Sequence, residues 1–78
     1  MDYNLTIKQK ETVNPILARY GEVIIPHSIR FAGDTPWVIT FKTYNKIGHV
    51  FIYTFNFNFQ FYQKTEMETG DVSKFINF

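Results

Sequence analysis

An alternation of aromatic side chains is the feature that most constrains the fold of this chain. Every odd position from Phe51 to Phe61 carries an aromatic ring, and the even positions are polar from Thr54 onward. Successive side chains of a β-strand point to opposite faces, whereas an α-helix would spread these rings around its circumference. The pattern predicts that residues 49–62 form one extended strand with an aromatic face.

A turn just before this segment predicts a hairpin with a defined register. Asn45-Lys46-Ile47-Gly48 has asparagine at the first position of a type I turn and glycine where a left-handed residue completes the loop. This loop makes Asn45 face His49. The register then pairs Trp37 with Phe57, Ile39 with Phe55 and Phe41 with Tyr53, so that all these side chains share one face.

The predicted strand is too long to pair with this hairpin partner alone. Its fourteen residues exceed the typical strand length of about five or six, so it must bend, break at a bulge or project. Residues 58–62 would pair either with residues 3–7 or 23–31 inside the monomer, or with a second copy of the chain, in which case the protein would be a homodimer. The predicted partner-binding residues are the outward-facing ones: Asn56, Asn58, Gln60 and Tyr62.

The remaining segments predict short elements around this hairpin. Residues 3–7 alternate like a strand, and residues 23–31 read as an edge strand, a bent strand or two short strands, because Pro26 interrupts them. Asn14, Pro15 and Gly21 suit the N-cap, first position and C-terminal cap of a helix. A helix starting near Glu11 is the alternative, which Pro15 disfavours. Asp71 is predicted to cap a short C-terminal helix.

These elements predict an α+β fold in which residues 1–78 form a single domain. We expect a small, strongly curved antiparallel sheet of three to four strands, with the helix of residues 14–21 packed on its aromatic face. Phe55 and Phe57 are expected in the core, because so short a chain has few other large apolar side chains to bury.

The sequence predicts no catalytic, cofactor-binding or metal-binding residues. His27 and Ser28 are adjacent, so on a strand they would point to opposite faces. Two isolated histidines without any cysteine match no usual metal-ligand spacing. The absence of cysteine, of a signal peptide and of an apolar run of about 20 residues predicts a cytoplasmic protein with no membrane partner.

Two functions remain open at this stage. Aromatic strands can bind single-stranded nucleic acid by base stacking, and residues 50–55 are similar to the second ribonucleoprotein motif of cold-shock domains. The partner motif of that family is missing, and the net charge is only +1. We therefore expect a non-enzymatic protein-binding module, with the size and composition of a phage or mobile-element accessory protein. Such proteins inhibit host complexes by docking on them, as anti-CRISPR proteins do.

Overall fold

The computed structural model describes residues 5–33 and 35–78, which form an α+β fold. A helix, α1, packs on a six-stranded antiparallel sheet, so the sheet has more than the three to four strands that were predicted. Along the sheet the strand order is β1-β3-β4-β5-β6, and β2 also pairs with β3. The bounds are α1 Ile7–Tyr20, β1 Glu22–Ile24, β2 Arg30–Phe31, β3 Val38–Asn45, β4 Val50–Asn56, β5 Phe61–Glu66 and β6 Ile76–Asn77.

The helix begins well before the predicted position. Thr6 is its N-cap, and a capping box closes the first turn: the Thr6 hydroxyl accepts a hydrogen bond from the Gln9 amide, and the Gln9 side chain accepts one from the Thr6 amide. The prediction of a strand over residues 3–7 is therefore wrong for Leu5 to Ile7, while Tyr3 and Asn4 lie outside the described residues. Leu5 is buried just ahead of the cap.

Pro15 lies inside this helix rather than at its start. Its side chain is exposed, whereas its neighbours Val13, Ile16 and Leu17 are buried against the sheet. The burial of this apolar stripe outweighs the hydrogen bond that proline cannot donate. The predicted C-terminal end is confirmed, because Gly21 has a φ of 67° and its amide donates to the Ala18 carbonyl.

The predicted register of the β3–β4 hairpin is confirmed. Ile39 lies opposite Phe55 and Phe41 opposite Tyr53. The turn has the expected geometry: the Asn45 amide donates to the His49 carbonyl over 3.1 Å, and Gly48 has a φ of 88°. At the far end the Phe57 amide donates to the Trp37 carbonyl over 2.9 Å.

The aromatic segment is two strands rather than one. β4 ends at Asn56, residues 57–60 turn, and β5 starts at Phe61 and pairs back along β4. The Asn56 side chain accepts hydrogen bonds from the Asn58 and Phe59 amides, and Gln60 takes a φ of 60°. A straight strand of this length would span nearly 50 Å, whereas the longest extent of the molecule is 31 Å. Folding back lets Phe55 and Tyr62 pack on each other at 4.9 Å between ring centroids.

The predicted C-terminal helix is also wrong. Val72 forms an isolated bridge with Thr65, and β6 pairs with Phe61 and Tyr62. A helix of one or two turns has little stability of its own, whereas the extended chain gains sheet hydrogen bonds and places the Phe78 ring against the core.

The segment of residues 23–31 forms two short strands, which was one of the predicted alternatives. Both β1 and β2 pair with β3, and they are separated by residues 25–29, where His27 has a φ of 65°. The core lies between α1 and one face of the sheet. Phe55 belongs to it as predicted, with none of its surface exposed, while Phe57 is half-buried and packs at its margin.

Candidate binding face

The pairing register gives the sheet two faces of different chemistry. Residues opposite each other in an antiparallel sheet point to the same side. The face under α1 carries the rows Ile39–Phe55–Tyr62–Ile76 and Phe41–Tyr53–Lys64. The other side, here called the open face, carries the rows Arg30–Thr40–Thr54–Gln63, Lys42–Ile52–Thr65, Val23–Tyr44–Val50 and Val38–Asn56–Phe61–Asn77.

The described rows of the open face carry no charged side chains apart from two cations. Its rows contain threonines, aliphatic side chains and amides, and none of their members is an aspartate or glutamate. Arg30 and Lys42 are exposed, as are Val23 and Tyr44. Within the described residues, no helix packs on this side, because the buried side chains of α1 join the core on the opposite side.

The irregular segment between β1 and β2 holds the Arg30 side chain and the Lys42 backbone. Arg30 Nη1 donates to the His27 and Ile29 carbonyls over 2.7 and 2.8 Å. The Lys42 amide donates to the Ser28 hydroxyl oxygen over 3.0 Å, and the Lys42 carbonyl accepts from the Ile25 amide over 2.8 Å. A shallow groove beside them is lined by side chains that include Pro26, Thr40 and Ile52. The positive charges therefore lie along one border of the open face.

A buried polar cluster lies on the helix side of the sheet, centred on Glu22. One carboxylate oxygen accepts hydrogen bonds from Thr43 at 2.8 Å and Tyr53 at 2.7 Å, and the other accepts from Lys64 at 2.5 Å. The Lys64 ammonium also lies 3.8 Å from the centroid of the Tyr20 ring. Among the described residues, no buried side-chain nitrogen or oxygen lacks a hydrogen-bond partner. The cluster is thus internally satisfied, as a structural ion pair is.

The two buried tyrosines are held in their neutral form. Burial, and then the hydrogen bond to Glu22, raises the pKa of Tyr53. Burial, and then a side-chain hydrogen bond with Tyr20, raises the pKa of Tyr62 to about 12. Both phenols therefore keep their protons at neutral pH, which makes neither of them a general base.

The structure does not bring the four predicted partner-binding residues onto one face. Asn56 is half-buried on the open face and uses its side chain to close the turn of residues 57–60. Asn58 and Gln60 are exposed in that turn, whereas Tyr62 is buried on the helix side with 2% of its surface exposed. In an unbroken strand all four would point the same way, but the turn pairs Asn56 with Phe61 and so sends Tyr62 to the opposite side.

The turn of residues 57–60 also removes the structural reason for predicting a homodimer. It rested on an unpaired strand edge at residues 58–62. In the described structure β5 pairs with β4 on one side, and Phe61 and Tyr62 pair with β6 on the other. This edge is therefore covered within the chain.

One group of side chains that the sequence analysis missed has the chemistry of metal ligands. His49, Glu66 and Glu68 each offer a ligand atom, and these atoms lie within 4.8 Å of one another. His49 Nδ1 lies 3.3 Å from Glu66 Oε1. The sequence gives no spacing signal for this group, because the pairing of β4 with β5 brings His49 close to residues far from it in the chain.

The described residues contain no helix that has the length and hydropathy needed to cross a membrane. No protein-family model, curated protein or solved structure matches this chain significantly.

Proposed function

We propose that this chain is a non-enzymatic binding module that docks on a larger protein through the open face. The observation that carries the proposal is the composition of that face: rows of threonine, amide and aliphatic side chains, bordered by Arg30 and Lys42, with no carboxylate in any row. Such a face fits a partner whose surface is acidic, because paired positive and negative surfaces steer docking and suppress wrong partners.

The size and rigidity of the open face support this role. The two largest extents of the molecule are 31 and 27 Å, and each partner buries roughly 800 Å² in a standard interface, so the proposed interface would take up most of one side of this molecule. Its backbone is already hydrogen-bonded in a sheet, which lowers the entropy cost of ordering on binding. Phe61, Tyr44 and Val23 add apolar surface to the polar rows.

The proposed activity is inhibition by occupation of a surface. A phage or mobile-element accessory protein of this size would block a host complex by covering an acidic surface that the complex needs. No catalytic group is required for this, and the buried polar residues described above have structural partners.

Binding of single-stranded nucleic acid is the alternative function, but the fold buries rings on which base stacking would depend. The strand rings that would stack on bases include Tyr53 and Phe55, and both have no exposed surface. Base stacking needs exposed ring faces. Two cations on the open face are few for a phosphate-binding surface.

The test compares three forms of the chain as bait in lysate of the host cell: wild type, Lys42→Glu and Lys46→Glu. Lys46 is exposed in the β3–β4 turn and belongs to none of the rows of the open face, so it matches the change in charge. We expect one protein to be captured by wild type and Lys46→Glu and lost with Lys42→Glu, and its binding site to be acidic. A captured protein that Lys42→Glu retains, or none beyond the empty support, contradicts the proposal.

A second arm separates the nucleic-acid alternative. A fluorescent oligo-dT strand is titrated with the same three proteins at low and high salt. The proposal predicts no tight binding. Binding that weakens steeply with salt and is lost only with Lys42→Glu would assign the open face to single-stranded nucleic acid.

A further inference from the structure

We propose that His49, Glu66 and Glu68 form a binding site for a divalent transition-metal ion, for which Zn²⁺ is the best match. The site is separate from the open face, and it does not depend on the proposed protein-binding function. Its three donors are an imidazole nitrogen and two carboxylates, with ligand atoms within 4.8 Å of one another.

The pairing of β4 with β5 brings the chain segments of the three residues together. Phe51 pairs with Glu66, and the same register continues for one more step, because the Met67 amide donates to the Val50 carbonyl over 3.0 Å. His49 precedes β4 by one residue, and Glu68 lies in the turn that follows β5. All three residues therefore lie at the same end of the β4–β5 pair, where their ligand atoms are within 4.8 Å of one another.

The backbone at these positions is held from several directions. The Asn45 side chain accepts a hydrogen bond from the His49 amide over 3.0 Å, and the His49 carbonyl accepts one from the Asn45 amide. The Glu66 amide donates to the Asp71 carbonyl over 2.9 Å, and the Glu66 carbonyl accepts from the Gly70 amide over 2.8 Å. Two of the three ligands therefore stand on backbone that an ion would not need to order.

The donor set favours a transition metal over the hard cations. Imidazole and carboxylate are ordinary Zn²⁺ ligands, whereas Mg²⁺ and Ca²⁺ are bound through oxygen alone. Three protein donors leave one position of a tetrahedral ion open to solvent or to a donor from another molecule. The side chains of His49 and Glu66 are 42% and 23% exposed, so an ion can enter directly from solvent.

Such an ion would cross-link two segments that are separated in the sequence and meet in the sheet. His49 follows the β3–β4 turn, while Glu66 and Glu68 lie at the end of β5 and in the turn after it. Because the ion would bind the folded chain and not the unfolded one, its addition is expected to raise the Tm.

The experiment titrates Zn²⁺ alone into the full chain. We expect binding of one ion per chain by calorimetry, a rise in Tm, and movement of the imidazole ¹⁵N signals of His49. His49→Asn is expected to lower the affinity by about tenfold or more, since even residues outside the ligand shell change metal affinity by about 10–100-fold. Glu66→Gln and Glu68→Gln keep the side-chain shape and should also weaken binding.

His27→Asn is the matched control, because it removes the other histidine of the chain, and asparagine tolerates the positive φ at that position. It should leave Zn²⁺ binding unchanged. Circular dichroism of each variant without metal checks that it is folded, and Glu68→Gln, at an exposed turn position, keeps the test decisive if His49→Asn does not fold. The proposal is overturned if Zn²⁺ does not bind the folded wild type, if His49→Asn or Glu68→Gln binds as well as wild type, or if Mg²⁺ binds equally tightly.

Discussion

Phe55 shows at the scale of one residue what the aromatic alternation achieves. Its ring has no exposed surface and lies between 4.9 and 5.9 Å from the rings of Phe41, Tyr53, Phe57, Tyr62 and Phe78, measured between centroids. Four of these five neighbours belong to β3, β4, β5 or the turn between β4 and β5. The alternation therefore builds a continuous aromatic layer under α1.

Phe55→Ala is expected to lower the free energy of unfolding by about 3–5 kcal/mol, because it removes buried ring surface and leaves a cavity. Phe59→Ala is the matched control: it is the same change in the turn of residues 57–60, where the ring is 70% exposed, and it should cost within about 0.5 kcal/mol. Urea unfolding measures both. Equal losses for the two variants would contradict the assignment of the core.

Lys64→Met is expected to destabilise the fold by about 3 kcal/mol, because it leaves the buried Glu22 carboxylate without its cation. Methionine keeps most of the side-chain volume, so the loss reports on the charge. Lys74→Met makes the same change at an exposed position and should have little effect. The same urea titration tests this, and a Lys64→Met variant as stable as wild type would show that the ion pair contributes nothing net.

At the scale of elements, α1 shows that burial can override a local signal. Proline disfavours helix both at its own position and at the residue before it. In α1 the residues on each side of Pro15 carry the buried stripe of Val13, Ile16 and Leu17, and the capping box at Thr6 stabilises the first turn. These contacts hold Pro15 within the helix at a cost in stability.

Pro15→Ala is therefore expected to raise the free energy of unfolding by about 1–2 kcal/mol. Alanine restores an amide donor to the helix, and part of the gain is offset by the greater freedom of the unfolded chain. Asn14→Ala changes the exposed neighbour in the same helix without restoring a hydrogen bond, and should give a smaller gain. A helix that really began at residue 14 would instead tolerate proline at no cost, and Pro15→Ala would then leave the Tm unchanged or lower it.

At the scale of the whole molecule, the chain buries two phenols, Tyr53 and Tyr62, and the ion pair of Glu22 with Lys64 on the helix side, and it leaves threonines and amides on the open face. Tyr53 and Tyr62 both have a pKa raised above the ordinary value of 10.0. The unfolded chain releases these protons from about pH 10, while the folded chain holds them. The stabilisation is fully present below that pH and is lost as the pH rises through the folded-state values.

The free energy of unfolding should therefore fall as the pH rises above about 10, by about 1.4 kcal/mol per pH unit for each phenol. Urea unfolding at a series of pH values measures the slope. Tyr53→Phe should make the alkaline slope shallower, whereas Tyr44→Phe, at an exposed tyrosine, should leave it unchanged. An identical slope in all three proteins would show that Tyr53 titrates alike in both states.

The alternation and the turn of residues 45–48 determined the β3–β4 hairpin, its register and the burial of Phe55. These features are legible in the sequence because each depends on neighbouring residues: side-chain direction has a period of two along a strand, and Gly48 supplies the positive φ that the loop requires.

Only the tertiary structure decided where α1 begins, that the aromatic segment folds back at residues 57–60, and that the C-terminal residues are extended. Each of these outcomes is a competition between a weak local preference and contacts with residues far away in the sequence, such as Tyr62 on Phe55 and Phe78 on the core. Because the chain folds back, Tyr62 lies on the opposite side of the sheet from Asn56. The same fold-back brings Glu66 and Glu68 close to His49. A sequence pattern indicates local preferences, whereas the pairing of β4 with β5 depends on the free energy of packing the whole core.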